Sequence, residues 1–487
     1  MTRTARSAQR ALLAACLLYG GAAQAQTGAR SSPAPDVPTL PLVRFTLPNG
    51  MTALLSEDHS APVVALTVWY HVGSKNEKPG RTGFAHLFEH MMFEGSENIG
   101  TGEHRRIIQS LGGVFNGSTT EDRTNYYEML PSNQLETAIW MESDRMATLL
   151  TRLNQERLDA EREIVKNERR LRVDNQPFGV ADEVTSAALY PATNPYSWPV
   201  IGSMADLSAA SVEDVRDFFR TYYSPSNATI AISGDLDVAR TRALLQKAYA
   251  ELNQRVAITR PRVAPTTLPA EKRLVLEDSR ARLPQLQVTW PTAGRHSPDV
   301  YALRSLGTLL TLDRTSRLRK VLVYDRQLAT QVFARQNDNE DDGYFQIFVA
   351  PRPNASLTEI EGVIDSIVAA VQTAPPSADE VQRVKNYTVV GNITGLQQRL
   401  ARAETLAEGQ VFDGDALSYR AEIARQQAVT PADVQRVARK YLGRGRVVLS
   451  MVPAGKLDQV SRPSLPFTNV TPAAAAAPAT STPGSNR

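Results

Sequence analysis

The chain has 487 residues, 42% of them hydrophobic and 22% charged, which is enough apolar sequence for at least two cores. Its formal charge of +3 arises from Arg3, Arg6 and Arg10; beyond residue 25 there are 51 basic and 51 acidic residues, so bulk charge supports neither a nucleic-acid partner nor an anionic membrane surface. Cys16 is the only cysteine, which excludes an internal disulfide and, beyond residue 25, any thiolate nucleophile or Cys-ligated metal.

Residues 1–25 read as a secretory signal: basic "MTRTARSAQR" precedes apolar "ALLAACLLYGGAA", and "AQA" at 23–25 offers small residues for cleavage. A rival reading takes "LAAC" at 13–16 as a lipobox that anchors an exported lipoprotein through Cys16, although it leaves only residues 11–15 as apolar core. Export to the periplasm in soluble form is the expectation, because no later run approaches the roughly 20 apolar residues of a transmembrane helix. Residues 26–41 are rich in Pro and Ser and read as a linker.

"VRFTLPNGMTALLSE" then predicts two strands around a hairpin at Asn49-Gly50, and "PVVALTVWYHVG" predicts a buried strand. "GFAHLFEHMMFEG", residues 83–95, has helical spacing of Phe84, Leu87, Phe88, Met91 and Met92, with Gly95 as a stop. His86 and His90 are four apart, so both imidazoles leave one helix face a turn apart, as two ligands of one small cation would. Glu89 can reach a water there without being a ligand. Only six histidines occur in the chain, so H-x-x-E-H points to a metal site rather than to two chance polar residues on an amphipathic helix. "GGVFNGSTTEDRTNYYEML" reads as a Gly turn followed by strands.

A catalytic metal needs a third protein ligand. In "LDAEREIVKNERRL", the residues Leu158, Glu161, Ile164, Val165, Glu168 and Leu171 share one helical stripe, placing two carboxylates on the face expected to be buried. Spacing alone leaves two readings open, a ligand-bearing face or a solvated one. Farther along, "SVEDVRDFFRTYYSPSNATIAISG" from Ser211 and "TPADVQRVARKYLGRGRVVLSMVP" from Thr430 repeat a capped helix followed by a strand. The repeat predicts an α+β fold of two similar domains of about 220 residues, joined at the Pro-rich 259–273; two unrelated α+β domains are the alternative. Residues 456–487, ending in Ala, Pro, Thr and Ser, read as a disordered tail.

"HLFEHMMFEG…LGGVFNGSTTEDRTNYYEMLP…AEREIVKNE" resembles the pitrilysin/insulinase family of zinc peptidases, whose inverted motif is H-x-x-E-H. "PVIGSMADL" and "YYSPSNATIAISGDLD" extend the resemblance over residues 42–455. It implies mainly antiparallel sheets packed with helices, forming half of a clamshell, with a catalytic domain over 42–258 and a metal-free homologous domain over 274–455. It further implies one zinc ion per chain held by His86, His90 and Glu168, with Glu89 as the general base of an endopeptidase. Glu161 falls on a family carboxylate that orients one of the ligands. Asn116, Gly117 and Ser118 match an open strand edge on which a peptide substrate pairs as an added strand. Family members usually carry Ala where Gly117 stands.

Self-sufficient members also carry an Arg and a Tyr seven residues apart in the second half. In "LVYDRQLATQV" those positions are Val323 and Thr330, with Tyr324 and Arg326 nearby at the wrong offset. The resemblance therefore implies a dimer, with a metal-free partner subunit supplying the Arg/Tyr pair. A non-catalytic assembly or scaffold subunit of the same fold is the competing role.

Overall fold

A computed structural model describes residues 37–252 and 256–470. The signal, lipobox and most of the first linker lie outside the described residues, as does the tail from residue 471. The strands of the first half are β1 (Val43–Thr46), β2 (Thr52–Glu57), β3 (Val63–Tyr70), β4 (Val114–Thr119), β5 (Thr124–Pro131) and β6 (Ala228–Gly234). They form one sheet in the order β1-β2-β6-β3-β5-β4, antiparallel except for β2 beside β6. β7 (Lys272–Asp278), β8 (Gln285–Ala293), β9 (Ala329–Asp338), β10 (Asp342–Pro351), β11 (Val447–Pro453) and β12 (Thr468–Val470) form a second sheet in the order β12-β7-β11-β8-β10-β9.

The expected hairpin is present: β1 pairs antiparallel with β2, and Gly50 takes φ 95° in the turn, a value that favours glycine. The apolar run predicted as a buried strand is β3, whose residues 64–70 are all buried. The helices that position the site are α1 (Phe84–Met91), α2 (Gln155–Arg169), α3 (Ala181–Leu189) and α4 (Val212–Tyr222), and in the second half α5 (Arg399–Glu408) and α6 (Pro431–Tyr441).

The internal repeat extends to the caps. Ser211 and Thr430 each accept from the backbone N–H of an Asp three residues on, and Asp214 and Asp433 return the bond. Strands β6 and β11 follow these helices and take the same place in their sheets, between β2 and β3 in one and between β7 and β8 in the other. The outer edges differ, since β1 is antiparallel to β2 whereas β12 is parallel to β7.

Each half covers the other's sheet. Leu406, Ala403 and Ala407 of α5 pack with Leu54, Trp69 and Ala231 of the first sheet. Reciprocally, Ala181 and Leu189 of α3 pack with Leu274, Leu276, Leu449 and Met451 of the second. A polar tie joins the hairpin tips: Lys75 Nζ lies 2.8 Å from Asp122 and 2.7 Å from Glu340, and His71 Nε2 lies 2.9 Å from Glu340.

Two sequence expectations are corrected. The chain from residue 456 was expected to be disordered, but Val460 and Ser461 are buried and β12 extends the second sheet. Val460 and Val470 give that segment apolar anchors, and the Ala/Pro-rich composition begins only after it. At the other end, Leu40 is already buried and its N–H donates to Tyr419 Oη at 3.2 Å, so the linker ends before residue 41.

Replacing Leu406, fully buried beneath the first sheet, with Ala should cost about 2–5 kcal/mol in a urea titration; a cost under about 1 kcal/mol would contradict its place in a shared core. For Glu340, burial would raise the carboxyl pKa, but His71 and Lys75 outweigh it and hold the group at about 2. A pKa depressed on folding contributes stability above the unfolded value of 4.5 and loses it as pH falls toward 2. Glu340→Gln should therefore flatten the stability profile between those limits, as thermal melts across that range would show.

Candidate active site

α1 is seated by its N-terminus. Glu77 accepts from the N–H of Gly83 at 3.0 Å and of Ala85 at 2.7 Å, capping the helix from outside its own sequence. Gly83 has φ 87°, and a Cβ there would stand 2.7 Å from Ile201 O, so the loop before residue 203 can press directly on the helix start. Phe84, Leu87, Phe88 and Met91 are buried, which turns His86 and His90 toward α2.

The stripe expected on α2 is partly overturned. Leu158, Glu161, Val165 and Arg169 are buried, whereas Ile164 is 48% exposed and Leu171 65%. The buried face centres near Val165, so its neighbour Ile164 points about 100° away. Leu171 lies in a π-wound turn, Arg170–Asp174, which adds a residue to the turn and shifts the register of the wheel.

The structure brings His86, His90 and Glu168 together, with one ligand atom from each within 4.8 Å of the others. Glu168 Oε2 is 3.2 Å from His90 Nε2 and 3.8 Å from His86 Nε2. Glu161 Oε2 lies 3.4 Å from His90 Nδ1, which identifies His90 as the imidazole it orients. Arg172, which the sequence reading missed, holds the other Glu168 oxygen at 2.7 Å from the π turn, four residues on. Two imidazole nitrogens and one carboxylate form a donor set suited to zinc, and the buried His86 Nδ1 has no hydrogen-bond partner.

The local electrostatics separate the two histidines. Burial, with help from His90, pushes His86 down to about 4, which keeps it neutral and able to ligate. Burial also opposes charge on His90, but its bonds to Glu161 and Glu168 prevail and lift it to about 9. With no cation bound, a proton on His90 thus balances the two carboxylates, and a divalent cation would replace it. Glu168 is lowered, chiefly by the His90 contact, and Glu89 is raised by burial.

Glu89 lies beside the cluster and against β4. Thr119, also missed from sequence, donates to Glu89 Oε2 at 2.7 Å. Its signal was available in strand alternation, because Thr119 follows Gly117 by two and shares its face. Asn116 and Ser118 lie on the opposite face: Asn116 is exposed, and Ser118 Oγ donates to Asn125 Oδ1 at 2.7 Å. β4 pairs with β5 on one side only. Thr120 N–H donates to Arg123 O at 2.8 Å, so with the observed register the main-chain groups of Phe115, Gly117 and Thr119 point to the open edge. Asn116 Oδ1 accepts from Gly117 N–H at 2.9 Å, a contact that an added strand would have to exchange.

His104, Glu128 and Glu142 also bring ligand atoms together, all of them buried. Arg145 occupies that cluster, with Nε 3.0 Å from Glu142 and the ring of Tyr126 4.4 Å from its guanidinium, so the charge there is already countered. In the second half Val323 packs against the core, and Thr330 Oγ1 donates to Ala350 O at 3.0 Å. Arg326 is paired with Glu359.

Residues 52–197 match the family "Insulinase (Peptidase family M16)", and residues 209–388 match "Peptidase M16 inactive domain". The chain belongs to the pitrilysin/insulinase peptidase family. It is 27% identical over 345 residues to the zinc protease PqqE of Helicobacter pylori, covering 70% of this chain and 77% of that one. A crystal structure of a protease from Helicobacter pylori superposes with a TM-score of 0.80 at 25% identity, covering 85% of this chain and all of that one. A Pseudomonas fluorescens structure described as a peptidase M16 inactive domain matches at TM-score 0.75 and 18% identity, over 85% of this chain and 98% of that one, which speaks to fold alone. This insulinase-family chain thus has two sheets packed with helices in two similar α+β halves.

Removing the carboxylate behind His90 should loosen the metal without unfolding the helix. Glu161→Gln is expected to weaken zinc binding about 10- to 100-fold in a competition titration with a chromogenic chelator; unchanged affinity would remove Glu161 from the site.

Proposed function

We propose that this insulinase-family chain is a zinc-dependent endopeptidase that cleaves peptides or unfolded segments held in extended form along β4. The observation carrying this reading is the convergence of His86, His90 and Glu168, with Glu89 beside them and the unpaired edge of β4 adjoining. One zinc ion at that cluster would supply Lewis acidity, polarising a carbonyl and acidifying water.

The chain's own groups would do the rest. The edge-facing main chain at Phe115, Gly117 and Thr119 would take the peptide by strand addition, a mode that reads backbone before side chains. Glu89, made more basic by burial, would accept a proton from the attacking water and return it to the leaving amine. Glu161 and Arg172 would keep His90 and Glu168 aimed inward.

Val323 and Thr330 are both engaged within the second half and offer no substitute for the family's Arg/Tyr pair. We therefore assign this chain as the metal-bearing subunit of a dimer whose metal-free partner supplies that pair. The signal-like residues 1–25 support export to the periplasm, with Cys16 lipidation as the competing route. No helix among the described residues is long and apolar enough to cross a membrane. A non-catalytic assembly role draws on the likeness to the inactive-domain structure, but it leaves the complete H-x-x-E-H set without a use.

Glu89→Gln should retain zinc and lose cleavage by about 10²- to 10⁴-fold on a quenched fluorescent peptide; an assembly subunit would be indifferent to the change. Full activity of the purified wild-type chain alone would sink the requirement for a partner.

A further inference from the structure

Two side-chain positions on the inner face of β4 are committed to one carboxylate. Thr119 Oγ1 donates to Glu89 Oε2 at 2.7 Å, and a Cβ at Gly117 would stand 2.9 Å from Glu89 Oε1 and 3.0 Å from its Cγ. The Thr119 hydroxyl has a single hydrogen to give. Thr124, its cross-strand neighbour, lies 3.4 Å behind it and donates to Val72 O at 2.9 Å, which leaves the Thr119 hydrogen for Glu89.

These are also residues whose main-chain groups face the open edge. Peptide binding and base orientation therefore meet in the same segment of strand. With Oε2 held by Thr119, Oε1 over Gly117 is the oxygen left to take a proton.

We propose that Thr119 is a positioning residue for Glu89, so the strand that takes the peptide also aims the base. The inference rests on reading Glu89 as the general base. Loss of the hydroxyl frees the carboxylate to rotate but leaves main-chain pairing intact, so the effect falls on kcat and not on KM.

The test compares zinc-loaded full-length wild type, Thr119→Val, Thr119→Ser and Glu89→Gln on a quenched extended peptide, with zinc content measured for each. Thr119→Val should lower kcat about 10- to 100-fold with KM and zinc content unchanged, and Thr119→Ser should recover most of the loss. An unchanged kcat in Thr119→Val, or a serine variant as poor as the valine one, would overturn the proposal. Cleavage retained by Glu89→Gln would instead remove the base reading itself, whereas an inactive Glu89→Gln beside a normal Thr119→Val sinks only the positioning role. Should the isolated chain not cleave, crystal structures of the zinc-loaded wild type and Thr119→Val decide: a Glu89 carboxylate turned away from β4 in the variant supports the proposal, and an unmoved one refutes it.

Discussion

His90 lies between two carboxylates of a single helix, with Glu161 on Nδ1 and Glu168 on Nε2, and the rest of the site is arranged around that contact. Seven residues separate the two acids, about two turns, so they can reach one ring only if α1 is pressed closely against α2. That approach is packed by Leu158 and Val165 of α2, both fully buried, while Gly83 and Gly202 let the start of α1 meet the loop before residue 203. A buried and a half-buried acid would be costly without a cation or proton between them. The proton on His90 meets that demand, and a divalent cation would replace it beside an already neutral His86.

Much of the fold was legible because local signals agreed with the tertiary result. The Asn49-Gly50 turn, the uninterrupted apolar run of β3 and the Ser211/Thr430 capping boxes each carry a short-range physical cause, and each forms as read. The segment after residue 456 was misjudged because a few apolar anchors in it find partners only across the second sheet. The reciprocal covering of the sheets by α3 and α5 was not legible at all, since it joins segments far apart in the chain, as the 2.9 Å bond from Trp69 Nε1 to Glu404 shows.

At the site, periodicity identified the residues that share a helix face, and the structure brings His86, His90 and Glu168 together. Ile164 and Leu171 escaped that logic: one sits at the margin of the buried arc, and the other follows a π turn that no spacing rule anticipates. Thr119 and Arg172 were missed for another reason. Their roles depend on which side-chain atom meets which carboxylate oxygen, and alternation or i, i+4 spacing offers candidates without ranking them. Ser118 shows the converse, since it matches the family strand but spends its hydroxyl on Asn125 on the far face.

The proposed site holds one metal ion between α1 and α2 and leaves Glu89 free of it. Anomalous diffraction at the zinc edge, on crystals of the full-length chain grown with zinc, tests this most directly. A single peak per chain is expected, bounded by His86, His90 and Glu168, with the Glu89 carboxylate still bonded to Thr119. A peak inside the His104–Glu128–Glu142 cluster, or Glu89 drawn in as a ligand, would contradict it.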